Sequence, residues 1–398
     1  MRIGILGGTY NPPHLGHLRG ARRAFDLLKL DHLYLVPSGT PPHKPLPEGS
    51  PTAQQRLDMT ELGAAYLELG DQVSVLDWEI ARGGASYTVD TLEQMHKLHP
   101  DAELWLVMGE DMFSTFESWR KPERIAQLCS ILTFARTQGD GQDGLLVQTK
   151  KLYQAYPKAY IYTTTIADVI EISSTEIRAM LQTDNGAEYL PPAVYGYILR
   201  HGLYGATVDM NHLTVGQLRC VALTYLKPKR FAHVLGCEQT AIRLALRYGV
   251  DVETAQRAAL LHDCTKWWSK EENLAYCDAH GIKLDKVERA NGKLLHAKSG
   301  AKVAQEDFGV SEEIAIAIDR HTTGHPKMTD LDKVIYLADY IEPTRNFEGL
   351  EKLRKSCDQS LNAGMVHGLS MTVADMEADG LTVHSATKDT LKTLRKEV

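Results

Sequence analysis

The chain has 398 residues, 43% of them hydrophobic and 24% charged, with six cysteines and a formal net charge of -7. That length predicts two domains rather than one core, and the composition excludes disorder, a collagen-like repeat and a disulfide scaffold. The acidic balance excludes a general nucleic-acid or anionic-membrane surface, which needs concentrated Lys and Arg, so any anion must be held at a local site.

Residues 1–10, MRIGILGGTY, run from a strand into glycines without the basic head and apolar stretch of a signal peptide, and nothing approaches the ~20 apolar residues of a membrane span. The cysteines are scattered with no Cys-x-x-Cys pair and read as reduced thiols, so a cytoplasmic protein is expected. Runs rich in branched or aromatic residues predict strands at Ile3 to Leu6, Leu33 to Val36, Val73 to Leu76, Leu104 to Met108, Ile131 to Phe134 and Tyr160 to Thr163. Helical spacing lies between several of them, as in Leu15, Leu18, Ala21, Phe25 and Leu28, or Val89, Leu92 and Met95. This rhythm predicts a doubly wound parallel α/β sheet, whose ligands sit in the turns after the strands.

The first such turn is GGTYNPPHLGH, Gly7 to His17. Gly7 and Gly8 allow close backbone approach to a ligand, and His14 and His17 stand three apart across a helix start, where free N–H groups favour an anion. No Gly-Lys-Ser/Thr follows, so it is not a Walker loop, and there is no GxGxxG fingerprint. Near the end of the same half, ISSTEIR (Ile172 to Arg178) ends a strand and starts a helix. Ser173, Ser174 and Thr175 suit an N-cap, and with Arg178 they also suit the far phosphates of a nucleoside triphosphate.

On these two motifs, together with PPHK (Pro41 to Lys44), AQQRLDM around Arg56, SYTVDTL (Ser86 to Leu92) and GEDMFSTFESW (Gly109 to Trp119), residues 1 to about 205 resemble the HxGH nucleotidyltransferases, and more closely the nicotinate-nucleotide adenylyltransferases. The resemblance implies a Rossmann-like domain over 1–207 that binds ATP, with Mg²⁺ on its phosphates. The implied ATP site comprises Gly7, Gly8, Thr9, His14, His17, Lys44, Gly109, Asp111, Ile172, Ser173, Ser174, Thr175 and Arg178, of which His14, His17, Lys44 and Arg178 would act in catalysis. Arg56, Tyr87, Thr88 and Trp119 would hold the mononucleotide; on residue type alone, the Tyr, Thr and Trp read first as core or cap residues. Where the family commonly has Phe-Asp-Pro-Ile this chain has Tyr10, Asn11, Pro12 and Pro13, and Asn11 is given no catalytic role.

From about Met210 the β-runs vanish. Segments such as FAHVLGCEQTAIRLALRYG and EEIAIAIDRHTTG have helical apolar spacing, which predicts an all-α half beyond a seam at HGLYGATVDMNHLT. It contains His233, the pair His262-Asp263 in the apolar run AALLHDCTKWW, His296, His321 and Asp339. A buried carboxylate is costly, and a metal removes that cost; imidazole with carboxylate suits iron, manganese, zinc or other first-row ions.

With RFAHVLG, LLHDCTK, LLHAKSGA, DRHTTGHPKM and LADYIEPTR, this half resembles the HD-domain phosphohydrolases, most closely those that split diadenosine tetraphosphate symmetrically. The resemblance implies an HD domain over 208–398 whose metal ligands are His233, His262, Asp263, His296, His321 and Asp339. They would hold two ions, with iron or manganese expected. Asp263 would bridge the ions as a catalytic residue, Lys266 would steady the leaving phosphate, and Arg345 and Thr322 are weaker candidates for that task. The expected partners are small nucleotides (ATP, nicotinate mononucleotide, diadenosine tetraphosphate), with no nucleic acid and no membrane; a homo-oligomer is left open. Two other readings of the helical half stand beside this one: a regulatory nucleotide-binding module without turnover, and a phosphodiesterase or guanosine polyphosphate hydrolase.

Overall fold

The computed structural model describes residues 1–41, 45–135, 140–165, 170 and 172–397. The chain divides into two compact units, Met1–Thr207 and Val208–Val398.

The first unit is built on a six-stranded sheet: β1 (Arg2–Gly8), β2 (His32–Pro37), β3 (Val73–Val75), β4 (Glu103–Gly109), β5 (Ser130–Ala135) and β6 (Ile161–Thr165). Their order is β3-β2-β1-β4-β5-β6 and every pairing is parallel. All six predicted strands are present. Parallel sheets are covered on both faces, and here alternate residues of one strand feed two separate cores. Ile3, Ile5, Leu104, Leu106 and Met108 pack with Leu92, Met95, Phe113 and Phe116, while Leu6, Leu33, Leu35, Trp105 and Val107 pack with Leu18, Ala21 and Phe25. The apolar stripe of helix Leu15–Leu28 faces the second core, and Gly20 lets that helix approach the sheet, since a Cβ there would lie 2.7 Å from the Phe134 ring.

The second unit is helical over its described residues. Most of its helices start at side-chain caps, such as Asp251 before Val252–Leu261, Asn291 before Gly292–Phe308, Ser311 before Glu312–Arg320 and Thr329 before Asp330–Ile341. Gly249 and Gly309 end two of them in the left-handed conformation. Helix Phe231–Tyr248 packs against Val252–Leu261 and Asp330–Ile341, and Gly292–Phe308 against Glu312–Arg320. Among the described residues no helix is long and apolar enough to cross a membrane.

Candidate functional site

In the first unit the strand order changes direction between β1 and β4, which opens a crevice at their carboxyl ends. Gly7 and Gly8 close β1 and Gly109 closes β4, so three of the residues singled out by the sequence line that opening. Beyond Gly8 the chain turns through Tyr10, whose buried hydroxyl donates to the Leu6 carbonyl at 2.8 Å. His14 is the N-cap of helix Leu15–Leu28; its backbone N–H donates to Nδ1 of His17 at 3.3 Å, and the two rings stand 3.7 Å apart. Both imidazoles thus lie over the positive end of the helix dipole. Gly16 between them is required by space: a Cβ would lie 2.9 Å from Nδ1 of His14 and 3.2 Å from the Ile170 carbonyl oxygen.

Helix Ser174–Leu181 begins beside this turn. Ser173 caps it in a capping box, accepting from the Glu176 N–H while its own N–H donates to the Glu176 carboxylate at 2.8 Å. Ser174 donates to the Pro12 carbonyl at 3.2 Å. Arg178 donates through Nη1 to the Asn11 carbonyl at 2.7 Å and through Nη2 to Thr175 Oγ1 at 3.0 Å, and Ile172 is buried. Asn11 is itself a hub, accepting from the Tyr204 hydroxyl at 2.8 Å and donating to Ser50 at 3.0 Å. The two motifs therefore form one cluster of two helix starts and their basic side chains. Lys44 lies outside the described residues.

The residues expected to hold the mononucleotide divide into two groups. Tyr87 is the N-cap of helix Thr88–Leu98, with the Arg120 guanidinium 4.5 Å over its ring. Trp119 rests on Phe116 at 5.6 Å, and its buried Nε1–H has no hydrogen-bond partner, an orphan donor that a ligand acceptor would satisfy. These residues, with Thr88, follow or adjoin the loop that Ser86 ties to the end of β2 by accepting from the Gly39 N–H at 2.9 Å. Arg56 is elsewhere. It is 0% exposed and donates to the carbonyls of Thr9 at 2.7 Å and Gly39 at 2.8 Å, so it clamps the turns after β1 and β2 from beneath. Its charge braces the backbone of those turns, of which Thr9 is one corner. Asp111 is exposed on the short helix Glu110–Ser114, which Gly109 caps.

In the second unit the six expected ligands come together. Asp263 lies at the centre: His296 Nε2 is 3.2 Å from its Oδ1, His321 Nε2 3.8 Å, His262 Nε2 3.6 Å and His233 Nε2 3.7 Å from its carboxylate. Asp339 Oδ1 is 3.2 Å from His233 Nε2. The rings are aimed by their other nitrogens: Nδ1 of His233 meets Glu342 at 3.0 Å, that of His262 the Ala259 carbonyl at 2.7 Å, and that of His321 the Ile318 carbonyl at 2.6 Å. Such partners fix the tautomer that leaves Nε2 free for a metal.

Burial pushes His262 and His296 down to about 4, so both are neutral, the form that binds metal. Burial opposes ionisation of Asp263, but His262, His296, His321 and Lys266 overcome it and hold the carboxyl well below its usual range. His262 Nε2 is buried without a hydrogen bond, and the ligand atoms of His262, Asp263 and His321 lie within 4.8 Å of one another, as do those of His233, Cys237, His262 and Asp339. An orphaned imidazole nitrogen inside two overlapping donor sets fits a pair of ions.

Basic side chains stand on the carboxylates. Arg230 contacts Asp263, Arg345 contacts Asp339, and Lys266 Nζ lies 3.0 Å from His296 Nε2. Sequence reading missed Arg230, Glu342 and Cys237; Cys237 and Arg230 carried a signal in their spacing from His233, four residues on and three before.

A cytidylyltransferase-like family model matches residues 5–180 and an HD domain model residues 230–344. The chain is 38% identical over 218 residues to a Pseudomonas fluorescens protein named "Probable nicotinate-nucleotide adenylyltransferase", covering 52% of this chain and 98% of the relative. A Citrifermentans bemidjiense protein of the same name is 37% identical over 216 residues, with 98% of it covered. Among solved structures, a Clostridium acetobutylicum protein described as a predicted HD superfamily hydrolase involved in NAD metabolism is 35% identical, covering 47% of this chain and 99% of that one, with a TM-score of 0.45.

Proposed function

Because this chain belongs, through its first half, to the nicotinate-nucleotide adenylyltransferase family and carries an HD domain in its second, we propose that it is a bifunctional enzyme. The first half transfers the adenylyl group of ATP to nicotinate mononucleotide; the second hydrolyses diadenosine tetraphosphate to two ADP. The transferase reading rests on the Arg178–Asn11 contact, which joins ISSTEIR to the histidine turn over the β1/β4 crevice. In the reaction a mononucleotide phosphate oxygen bonds to the α-phosphorus of ATP, the bond from that phosphorus to the bridging oxygen breaks, and pyrophosphate leaves. No protein nucleophile is needed. His14, His17, Lys44 and Arg178, with N–H groups of the helix capped by Ser173, offset the charge gathering on the phosphates, which Mg²⁺ would accompany. Trp119 and Tyr87 would pack on the pyridine ring.

In the second half, His233, His262, Asp263, His296, His321 and Asp339 would hold two divalent ions, which when bound supply positive charge that polarises phosphate and acidifies water. Arg230, Lys266 and Arg345, already gathered at the carboxylates, would take phosphate oxygens. A water oxygen bonds to one central phosphorus, the bond from that phosphorus to the central bridging oxygen breaks, and the water protons pass to solvent, giving two ADP, one bearing the water oxygen and the other the bridging oxygen.

Product analysis of the purified chain tests both. ATP with nicotinate mononucleotide should give deamido-NAD and pyrophosphate, faster than with the amidated mononucleotide, and diadenosine tetraphosphate should give ADP alone. Binding without turnover would make the second half a regulatory module. Turnover of cyclic or guanosine polyphosphate substrates instead would make it another HD hydrolase.

A further inference from the structure

Helix Phe231–Tyr248 brings a second donor to the centre besides His233. Cys237 lies one turn along on the same face, is 1% exposed, and has its Sγ 3.5 Å from His233 Nε2. Its sulfur, with the nearest ligand atoms of His233, His262 and Asp339, forms a set in which all lie within 4.8 Å of one another. His262 points to the same place independently. Its Nδ1 is occupied by the Ala259 carbonyl, and its Nε2, in a side chain 1% exposed, has no hydrogen-bond partner.

We propose that the Cys237 sulfur is a further protein ligand, as thiolate, to the ion held by His233, His262 and Asp339 beside the bridging Asp263. The inference rests on the reading of this centre as a metal site. It makes the two metal positions chemically unequal. With the bridging Asp263, two imidazoles, a thiolate and two carboxylates suit an ion that accepts sulfur, such as zinc, cobalt(II) or ferrous iron. The neighbouring set of Asp263, His296 and His321 offers only nitrogen and oxygen, which also suits a harder ion such as manganese. The centre would then select two different metals.

The competing explanation is that Cys237 packs beneath the His233 ring as a small apolar residue. Cys264 is such a case within the same unit: it adjoins Asp263 and is 1% exposed, yet its Sγ approaches the Gly300 carbonyl at 3.7 Å.

Cobalt(II) titration of the metal-free full chain separates the two. Wild type and Cys264→Ala should show the visible bands of bound cobalt together with a near-ultraviolet thiolate-to-cobalt charge-transfer band. Cys237→Ser and Cys237→Ala should keep the visible bands and lose the charge-transfer band. Their zinc affinity should fall by at least the ~10-fold that losing an outer-shell partner already costs, with manganese binding little changed. X-ray absorption of cobalt-loaded wild type, which needs no variant to fold, should show a sulfur neighbour at about 2.3 Å. Bound cobalt with no sulfur neighbour, or a charge-transfer band that survives Cys237→Ala, would overturn the proposal while leaving the metal centre standing. No cobalt uptake by wild type would overturn the metal centre and the proposal together.

Discussion

The Arg178 guanidinium donates to the main-chain carbonyl of Asn11 at 2.7 Å, across 167 positions of sequence. One side chain thereby locks the second helix start against the first and brings a cation to the place where phosphate is expected. Arg178→Lys keeps the charge but loses the planar fork, and Arg178→Ala loses both. We expect Arg178→Ala to lower kcat/KM for ATP by ~10²-fold or more and Arg178→Lys to recover only part of it. Steady-state kinetics decide: full recovery by Lys would show that charge alone matters and that the Asn11 contact is incidental.

Trp119→Ala should weaken nicotinate mononucleotide by about 1–3 kcal/mol, the value of one ring stacked on one base, and leave ATP almost unchanged. Calorimetric titration of each substrate reads this directly. Equal losses for both would make Trp119 a packing residue of the Phe116 core.

Asp263→Ala removes the one carboxylate that lies within 3.8 Å of all four imidazoles. It should lose both ions and the hydrolase activity while adenylyl transfer continues at the wild-type rate. In the wild type, water labelled with heavy oxygen should mark one ADP per turnover. ATP plus AMP as products would exclude a cut between the central phosphates, and full hydrolysis by a metal-stripped sample would exclude the metal site.

Acid should destabilise the metal-free second unit. His262 and His296 titrate near 4 when folded and near the ordinary 6.5 when unfolded, so the unfolded chain binds more protons between those values. Stability is therefore fully present above about pH 6.5 and falls as pH drops toward about 4; the depressed Asp263 and Asp339 carboxyls act in the same direction at lower pH. Thermal melts of the metal-free chain should show the second unit's Tm falling from about pH 7 to about pH 4.5. A flat Tm across that range would mean that these imidazoles are not held neutral.

Residues 1–207 and 208–398, made as separate chains, should each fold and keep their own activity, as the division into two compact units suggests. An insoluble or inert half, with the full chain active, would show that the halves depend on each other.

Much of this was legible in sequence because burial leaves a local trace. The six strands announced themselves as short runs such as Ile3 to Leu6 and Ile131 to Phe134, since a parallel sheet buried on both faces needs continuous apolar residues. The second unit's histidines stood out because polar residues interrupt apolar helices. What was not legible depends on contacts between distant segments. Arg56 is expected at the mononucleotide from the resemblance alone, and only the fold shows that its side chain also holds the Thr9 and Gly39 carbonyls. Gly16 is given no role in the sequence, and only the fold shows a Cβ there 2.9 Å from His14 Nδ1 and 3.2 Å from the Ile170 carbonyl oxygen. Cys237 was passed over because it fits the apolar face of its helix as well as Val or Ala would.

The cluster of His14, His17 and Arg178 has a consequence for how the protein is made. Its histidine turn is synthesised well before Ser173 to Arg178, which emerge close to the end of the first unit. A growing chain that has not yet reached Ser173 has the glycine turn without the helix start that Ser174 and Arg178 fasten to it. The cluster is therefore not assembled until the first unit is essentially complete.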